Sequence, residues 1–152
     1  MPLNIVLIEP EIPNNTGNIG RLALGTGSNL HLVKPFGFEL SDKRLKRAGL
    51  DYWKHINVIY YENIEEFFAK NKEAKMAFLS SHGTKDHWDI KYKENLFLVF
   101  GKESVGLPKD LIETQKDNLF KIPLYSENIR SLNLANAVAI CAYEGLRQLK
   151  LK

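Results

Sequence analysis

Short apolar segments with little polar alternation are the feature that most limits how this chain can fold. Leu3–Ile8 and Leu96–Phe100 are apolar at almost every position, so both faces of each strand require burial. Such strands are typical of parallel sheets that helices cover on both sides. The predicted strands are Leu3–Ile8, Leu30–Val33, Val58–Tyr61, Met76–Ser80, Leu96–Phe100 and Leu119–Ile122.

Segments of helical character lie between these strands. This alternation predicts an α/β fold with a mainly parallel sheet flanked by helices. The polar stretch Ser81–Asn95 is predicted to be a surface loop at the rim of the sheet. The 152 residues contain no repeat or linker, so a single domain, residues 1–152, is expected. The predicted helices are Asn18–Leu24, Asp42–Arg47, Ile64–Asn71, Pro108–Glu113 and Leu132–Lys150.

Composition indicates a soluble, cytoplasmic protein. The single cysteine, Cys141, cannot form an internal disulfide and lies in an apolar run, so we expect a buried thiol in a reducing compartment. No apolar run approaches the roughly 20 residues of a membrane helix, and the start of the chain lacks the basic segment of a signal peptide. The net charge of +3 permits a polyanionic partner without requiring one.

The first half of the last predicted helix, residues 132–142, is apolar on nearly all sides. A helix of this kind is covered by neighbours on several sides. A subunit interface and burial within one chain explain this equally well.

The loop after the first predicted strand, residues 14–21, is a candidate functional segment, because ligands bind beyond the carboxyl ends of strands in open parallel sheets. Thr16 is predicted to cap the following helix. Arg21 would lie one turn into that helix, facing back over the loop, and arginine suits contact with phosphate. A capped helix with an arginine in solvent is an equally good interpretation.

Two further loops follow predicted strands. Phe100–Pro108 carries two glycines and a lysine, but it lacks the Gly-Lys-Ser/Thr ending of a Walker A loop. No dinucleotide fingerprint follows the first strand, which argues against a nicotinamide-dependent oxidoreductase. In the loop before the last helix, Ser131 is predicted to be the N-cap. Asn133 and Asn136 are poor helix formers and are predicted to bond across to another loop.

Together, these three loops resemble the SPOUT superfamily and, within it, the SpoU branch of RNA ribose 2'-O-methyltransferases. Their order, spacing and strand context match over essentially the whole chain. The basic segment 42–53 and the lack of an extra N-terminal RNA-binding domain make the chain similar to single-domain members. Those members methylate the wobble nucleotide of tRNA, a cytidine or modified uridine at position 34 in the anticodon region.

The resemblance implies a C-terminal trefoil knot, a homodimer that uses the long helix, and S-adenosylmethionine as the methyl donor. No metal is expected, because the four histidines lack ligand spacing and only one cysteine is present. The residues that it implies for donor binding are Leu79, Gly101, Glu103, Gly106, Ile122, Ser131 and Leu132.

The resemblance also implies a catalytic set, Arg21 with Asn15, Glu103 and Asn133, which Ser131 completes. Since a guanidinium keeps its proton below about pH 12, we expect Arg21 to hold a phosphate and stabilise the developing alkoxide. A substrate phosphate or Glu103 would then accept the proton. Gly20 stands where the family usually has a bulkier residue.

Lys43, Arg44 and Arg47, with Lys46, are predicted to contact the RNA backbone, although a solvated helix face explains them too. Tyr52 and Trp53 are predicted to stack on bases. Tyr143 would reach the partner's active site or would pack in the core. The alternative functions are a ribosomal RNA 2'-O-methyltransferase of the same fold and a non-catalytic RNA-binding dimer.

Overall fold

The structure, a computed structural model, describes residues 3–38 and 51–150. Its strands are β1 Leu3–Ile8, β2 Asn29–Val33, β3 Val58–Tyr61, β4 Met76–Leu79, β5 Lys85–Asp86, β6 Leu96–Phe100 and β7 Leu119–Lys121. They form one sheet in the order β3-β2-β1-β6-β4-β7-β5, and every neighbouring pair is parallel. The predicted α/β fold with a parallel sheet is confirmed.

Helices cover both faces of this sheet. Leu3, Ile5 and Leu7 of β1 pack in one apolar cluster with residues of the first and last helices, whereas Val6 and Ile8 pack in a second cluster on the other face. Every residue of β1 is buried, as a strand covered on both faces requires. The helices are α1 Pro13–Thr26, α2 Ile64–Lys70, α3 Lys109–Thr114 and α4 Leu134–Lys150, with single 3-10 turns at Asp51–His55, His87–Asp89 and Lys116–Asn118.

The start of α1 differs from the prediction. The helix begins at Pro13, whose fixed φ suits the first helical turn. Thr16 is therefore inside the helix and is not its cap, and its buried Oγ1 has no hydrogen-bond partner among the described residues. The predicted helix Asp42–Arg47 lies outside the described residues.

Two details near the second half of the chain also differ. Helix α4 begins at Leu134, and its cap is Asn133, whose Oδ1 accepts a hydrogen bond of 3.2 Å from the Asn136 amide. Ser131 is not the cap. Strand β5 lies within the stretch predicted as a loop, because two polar residues carry no strand pattern and form a strand only by pairing with β7.

Strand β7 follows β4 and β5 in the chain, yet it lies between them and pairs with both. The connection from β4 to β5, residues 80–84, crosses close over β7, where a Cβ on Gly83 would lie 2.5 Å from the carbonyl carbon of Phe120. The chain then returns along α4, where the Tyr92 hydroxyl donates a hydrogen bond of 2.7 Å to the Cys141 carbonyl. Strand β7 thus lies directly against an earlier connection of the chain.

The predicted burial of Cys141 is confirmed, since its side chain is fully enclosed and burial raises the pKa of the thiol to about 12. Such a thiol stays protonated and is a poor nucleophile. None of the described helices combines the length and apolar character that a bilayer crossing requires. The described residues also contain no cluster of side chains that would hold a metal ion.

A buried histidine is held in the sheet by two polar neighbours. His31 of β2 is 4% exposed, and its Nδ1 lies 2.8 Å from the Tyr61 hydroxyl oxygen while its Nε2 lies 2.9 Å from Asn4 Oδ1. Burial lowers the pKa of His31 to about 4 from its ordinary 6.5. The folded protein therefore keeps this imidazole neutral where an unfolded chain would protonate it.

This difference predicts a loss of stability in mild acid. As the pH falls below 6.5, the unfolded chain binds a proton that the folded protein does not bind until about pH 4. The free energy of unfolding should therefore drop by about 2 kcal/mol between pH 7 and pH 5. Urea unfolding at several pH values measures this. His31→Gln should show a flatter pH dependence, with a remainder from His87, whose pKa is also lowered by burial. An equal slope in the variant would contradict the assignment.

Candidate active site

Three loops meet in a cleft of about 710 Å³ at the carboxyl edge of the sheet. They follow β4, β6 and β7, which are neighbours in the sheet, so their ends necessarily lie side by side. The start of α1 closes the cleft through Ile12 and Asn15. The lining includes all the residues predicted for donor binding: Leu79, Gly101, Glu103, Gly106, Ile122, Ser131 and Leu132.

The loop after β6 closes on itself. The Gly106 amide donates to the Lys102 carbonyl at 2.9 Å, and the Lys102 amide donates to the Gly106 carbonyl at 3.2 Å. A Cβ at position 101 would lie 2.0 Å from the carbonyl carbon of Gly106, and Gly106 has a φ of 74°. Only glycine fits at position 101, and position 106 favours glycine because other residues are strained there.

Glu103 uses both carboxylate oxygens to hold the segment that leads into α1. Its Oε1 accepts from the Glu11 amide and its Oε2 from the Ile12 amide, each at 2.8 Å. Oε2 also accepts from Asn15 Nδ2 at 3.2 Å. A carboxylate is favourable at a helix N-terminus, where amide groups lack partners inside the helix. Glu103 thus holds the two amides that lead into α1, and Thr16 does not cap the helix.

Glu11, in the segment that Glu103 binds, in turn binds Ser104 in the loop after β6. Its Oε1 accepts from the Ser104 amide at 2.8 Å and from the Ser104 hydroxyl at 2.7 Å. These bonds, together with the charge of Lys102, lower the pKa of the Glu11 carboxyl. Glu9 and Lys102 add an ion pair of 3.3 Å between the same segments. Glu11 was not predicted as a site residue, because no local pattern relates residues so far apart in the chain.

Asparagines connect the loop before α4 to the start of α1 and, through α1, to the loop after β6. Asn133 Nδ2 donates a hydrogen bond of 3.1 Å to Asn15 Oδ1, and the Asn15 amide group in turn binds Glu103. The predicted bond from Asn133 is present, but its partner Asn15 lies in helix α1 and not in a loop. Asn136 contributes its backbone amide to the helix cap instead. Asn15, Glu103 and Asn133, three of the four predicted catalytic residues, therefore form one hydrogen-bonded chain.

Arg21 is not part of that chain and does not line the cleft. Its side chain is exposed on α1, with Cζ 5.8 Å from the centroid of the Tyr52 ring. Trp53 is 9% exposed and belongs to the core, so its predicted role in base stacking is wrong. Tyr143 is 54% exposed on α4. Lys43, Arg44, Lys46 and Arg47 lie outside the described residues.

Other residues that line the cleft were not predicted. Ser80, Ser81 and His82 follow β4 directly, and Arg130 lies in the loop before α4. Ser81 and His82 belong to the stretch predicted as a surface loop, and Ser80 was predicted as the last residue of the strand before it. The position of all three at the end of a strand was a usable signal.

Comparison with known proteins shows which family has this sequence and fold. Residues 2–143 match the model of the SpoU rRNA methylase family. A tRNA (cytidine(34)-2'-O)-methyltransferase of Saccharophagus degradans is 48% identical over 147 residues, which cover 96% of this chain and 95% of that protein. The protein of the same name from Yersinia pestis is 43% identical over 153 residues, covering 97% of this chain and 94% of its own.

Solved structures agree with these relatives. One that concerns the 2-OH methylation of C/U34 on tRNA has a TM-score of 0.91 and 40% identity, covering 99% of this chain and 97% of its own. An AdoMet-bound rRNA methyltransferase from Sinorhizobium meliloti has a TM-score of 0.83 and 26% identity, covering 97% of this chain and 56% of its own. This chain belongs to the SpoU family of RNA methyltransferases.

Proposed function

We propose that this chain transfers a methyl group from S-adenosylmethionine to the ribose 2'-hydroxyl of nucleotide 34, a cytidine or modified uridine, in tRNA. Relatives with 48% and 43% identity over nearly the whole chain are named for this reaction on cytidine 34. The observation that carries the proposal is the cleft in which three loops at strand ends converge. The family model is named for rRNA, but the two relatives that match nearly the whole chain at 48% and 43% identity are named for tRNA.

The residues of the cleft suit the methyl donor. Leu79, Ile122 and Leu132 offer an apolar wall for an adenine ring, and the loop after β6 offers backbone groups beside Gly101 and Gly106. A cleft of this size suits a ligand of that kind. The bound donor would supply an electrophilic methyl carbon. We propose that the seven residues predicted for donor binding hold it, and the related Sinorhizobium meliloti structure is AdoMet-bound.

The remaining residues orient the acceptor and manage charge. A guanidinium is a permanent cation that suits phosphate, and we propose that Arg21 holds an RNA phosphate and stabilises the alkoxide as the oxygen–carbon bond forms. Both carboxylate oxygens of Glu103 already accept hydrogen bonds. Glu103 therefore positions Asn15, and Asn15 in turn accepts from Asn133 beside the proposed donor site. A phosphate oxygen of the RNA is then our proposed acceptor for the hydroxyl proton.

We propose that the chain forms a single domain with a trefoil knot at its C-terminal end. Strand β7 lies between β4 and β5, and residues 80–84 cross over it, which is the arrangement expected when a later segment passes through an earlier loop. An experimental map in which residues 119–150 run outside that loop would contradict this proposal.

We also propose a cytoplasmic homodimer that uses the outer face of α4. Val138 and Cys141 of α4 are buried, whereas Ile140 and Tyr143 are 38% and 54% exposed, so a second chain would cover the apolar residues left in solvent. Tyr143 would then face the partner and contact RNA bound there. We propose that Lys43, Arg44 and Arg47 also bind the RNA. Sedimentation should give the mass of two chains, and a monomer at micromolar concentration would contradict this proposal.

The function is tested by methylation of purified RNA. With labelled donor, the chain should methylate total tRNA and leave ribosomal RNA unlabelled. Mass mapping of nuclease fragments should place the added methyl on the ribose of nucleotide 34. Label in ribosomal RNA alone would favour the alternative function, a ribosomal RNA 2'-O-methyltransferase. Donor binding without transfer to any RNA would favour a non-catalytic RNA-binding dimer.

A further inference from the structure

Arg21 lies over an aromatic ring in this structure. Its Cζ is 5.8 Å from the centroid of the Tyr52 ring, a distance at which a cation is attracted to the face of an aromatic ring. We propose that Tyr52 is a positioning residue that holds the Arg21 guanidinium for methyl transfer. The inference rests on the proposed function, because the role of Arg21 comes from there.

Tyr52 is itself attached to the helix that carries Arg21. Its hydroxyl donates a hydrogen bond of 3.0 Å to the Gly17 carbonyl. Gly17 precedes Arg21 by four residues in α1, and residues four apart lie on the same face of a helix. Burial raises the pKa of the Tyr52 hydroxyl and the charge of Arg21 lowers it, with a net increase that keeps the phenol protonated as a donor. Tyr52 thus contacts one face of α1 twice, through its hydroxyl at Gly17 and through its ring at Arg21.

Trp53 and Gly20 fix the position of Tyr52. A Cβ on Gly20 would lie 2.5 Å from the Trp53 ring and 3.0 Å from the Ile56 side chain. The missing side chain therefore leaves the space in which the Trp53 indole packs against α1. Because Tyr52 precedes Trp53 in the same 3-10 turn, this packing brings the phenol ring over Arg21.

Arg21 needs such support because its side chain is long, flexible and exposed. Among residues 3–38 and 51–150, the Tyr52 ring is the contact recorded for its guanidinium. A ring under the guanidinium limits the orientations that the Arg21 side chain can adopt and leaves its N–H groups unbound by the ring. Those donors remain available for a phosphate, whereas a carboxylate partner would occupy them.

Two variants separate the ring from the hydroxyl. Tyr52→Leu removes the ring, and we expect it to lower the single-turnover rate about fivefold at saturating donor and tRNA. Tyr52→Phe keeps the ring and should stay within about twofold of the unmodified chain. The dissociation constant of S-adenosylmethionine should be unchanged in both, because Tyr52 does not line the cleft.

A spectroscopic measurement tests the contact without relying on activity. The Nε–Hε resonance of Arg21, identified by its loss in Arg21→Lys, should carry a ring-current shift in the unmodified chain and in Tyr52→Phe. The shift should disappear in Tyr52→Leu. An unchanged Arg21 resonance in Tyr52→Leu would overturn the proposal, as would a rate loss accompanied by weaker donor binding. If the unmodified chain does not methylate tRNA, the proposed function fails, while the resonance still decides whether Tyr52 holds Arg21.

Discussion

Arg21→Ala should lower the single-turnover rate of tRNA methylation by at least about 100-fold while donor affinity stays within a factor of two. Removing one group that stabilises developing charge typically costs this much. Donor affinity should persist because Arg21 lies outside the cleft that the donor would occupy. Calorimetric titration with S-adenosylmethionine, run beside a single-turnover assay, measures both quantities.

Lys70→Ala is the matched control for the loss of one positive charge. Lys70 ends α2, which runs back toward the strand starts, and its exposed side chain pairs with Glu66 at 3.2 Å. An exposed pair of this kind contributes little stability, so this variant should methylate tRNA at the rate of the unmodified chain. Normal turnover in Arg21→Ala would remove Arg21 from the mechanism.

Gly101→Ala should abolish measurable donor binding and also destabilise the fold. Its Cβ would lie 2.0 Å from the carbonyl carbon of Gly106 and 2.2 Å from the Leu107 amide nitrogen. Both are backbone atoms of the same closed loop, so relief requires the loop to open. Overpacking of this kind costs about 1–3 kcal/mol or more. Thermal unfolding and donor titration on the same preparation separate the two effects.

Gly25→Ala is the matched control, because nothing lies within 4 Å of its Cβ position. Gly25 is exposed near the end of α1, where alanine should stabilise the helix by about 0.5–1 kcal/mol. The two substitutions should therefore change the melting temperature in opposite directions. Donor affinity that survives in Gly101→Ala would contradict the role of this loop in the cleft.

The positions of the strands were predictable, because their apolar residues carry a signal that is local in sequence. All six predicted strands are present within a residue or so of their predicted bounds. Helix starts were less predictable. Pro13 was a usable signal for the start of α1. The amides of Glu11 and Ile12, just before the helix, are bound by Glu103, and no local pattern reports a partner that a distant loop supplies.

The candidate site also combines features that were predictable with features that depend on contacts between distant residues. Leu79, Gly101 and Ile122 were assigned to one site through the resemblance, and the structure brings them together because their strands are neighbours. The reciprocal hydrogen bonds of Glu11 and Glu103 were not predictable, since each depends on the distance between two loops. Trp53 was misassigned for a related reason. An aromatic residue beside a basic segment suggests RNA stacking, but the space at Gly20 makes it part of the core.

The residue pattern alone was enough to predict the parallel α/β architecture, the burial of Cys141 and two of the three loops that line the cleft, those after β6 and β7. These features were predictable because hydrophobic burial and glycine requirements act on neighbouring residues. Three features could be seen in the folded chain alone: β7 lies between β4 and β5, Glu103 binds the amides just before α1, and the Arg21 guanidinium lies over the Tyr52 ring. Each of these depends on pairs of groups far apart in the chain. Their contact is set by how the sheet and its helices pack as a whole, and no short segment of sequence contains that information.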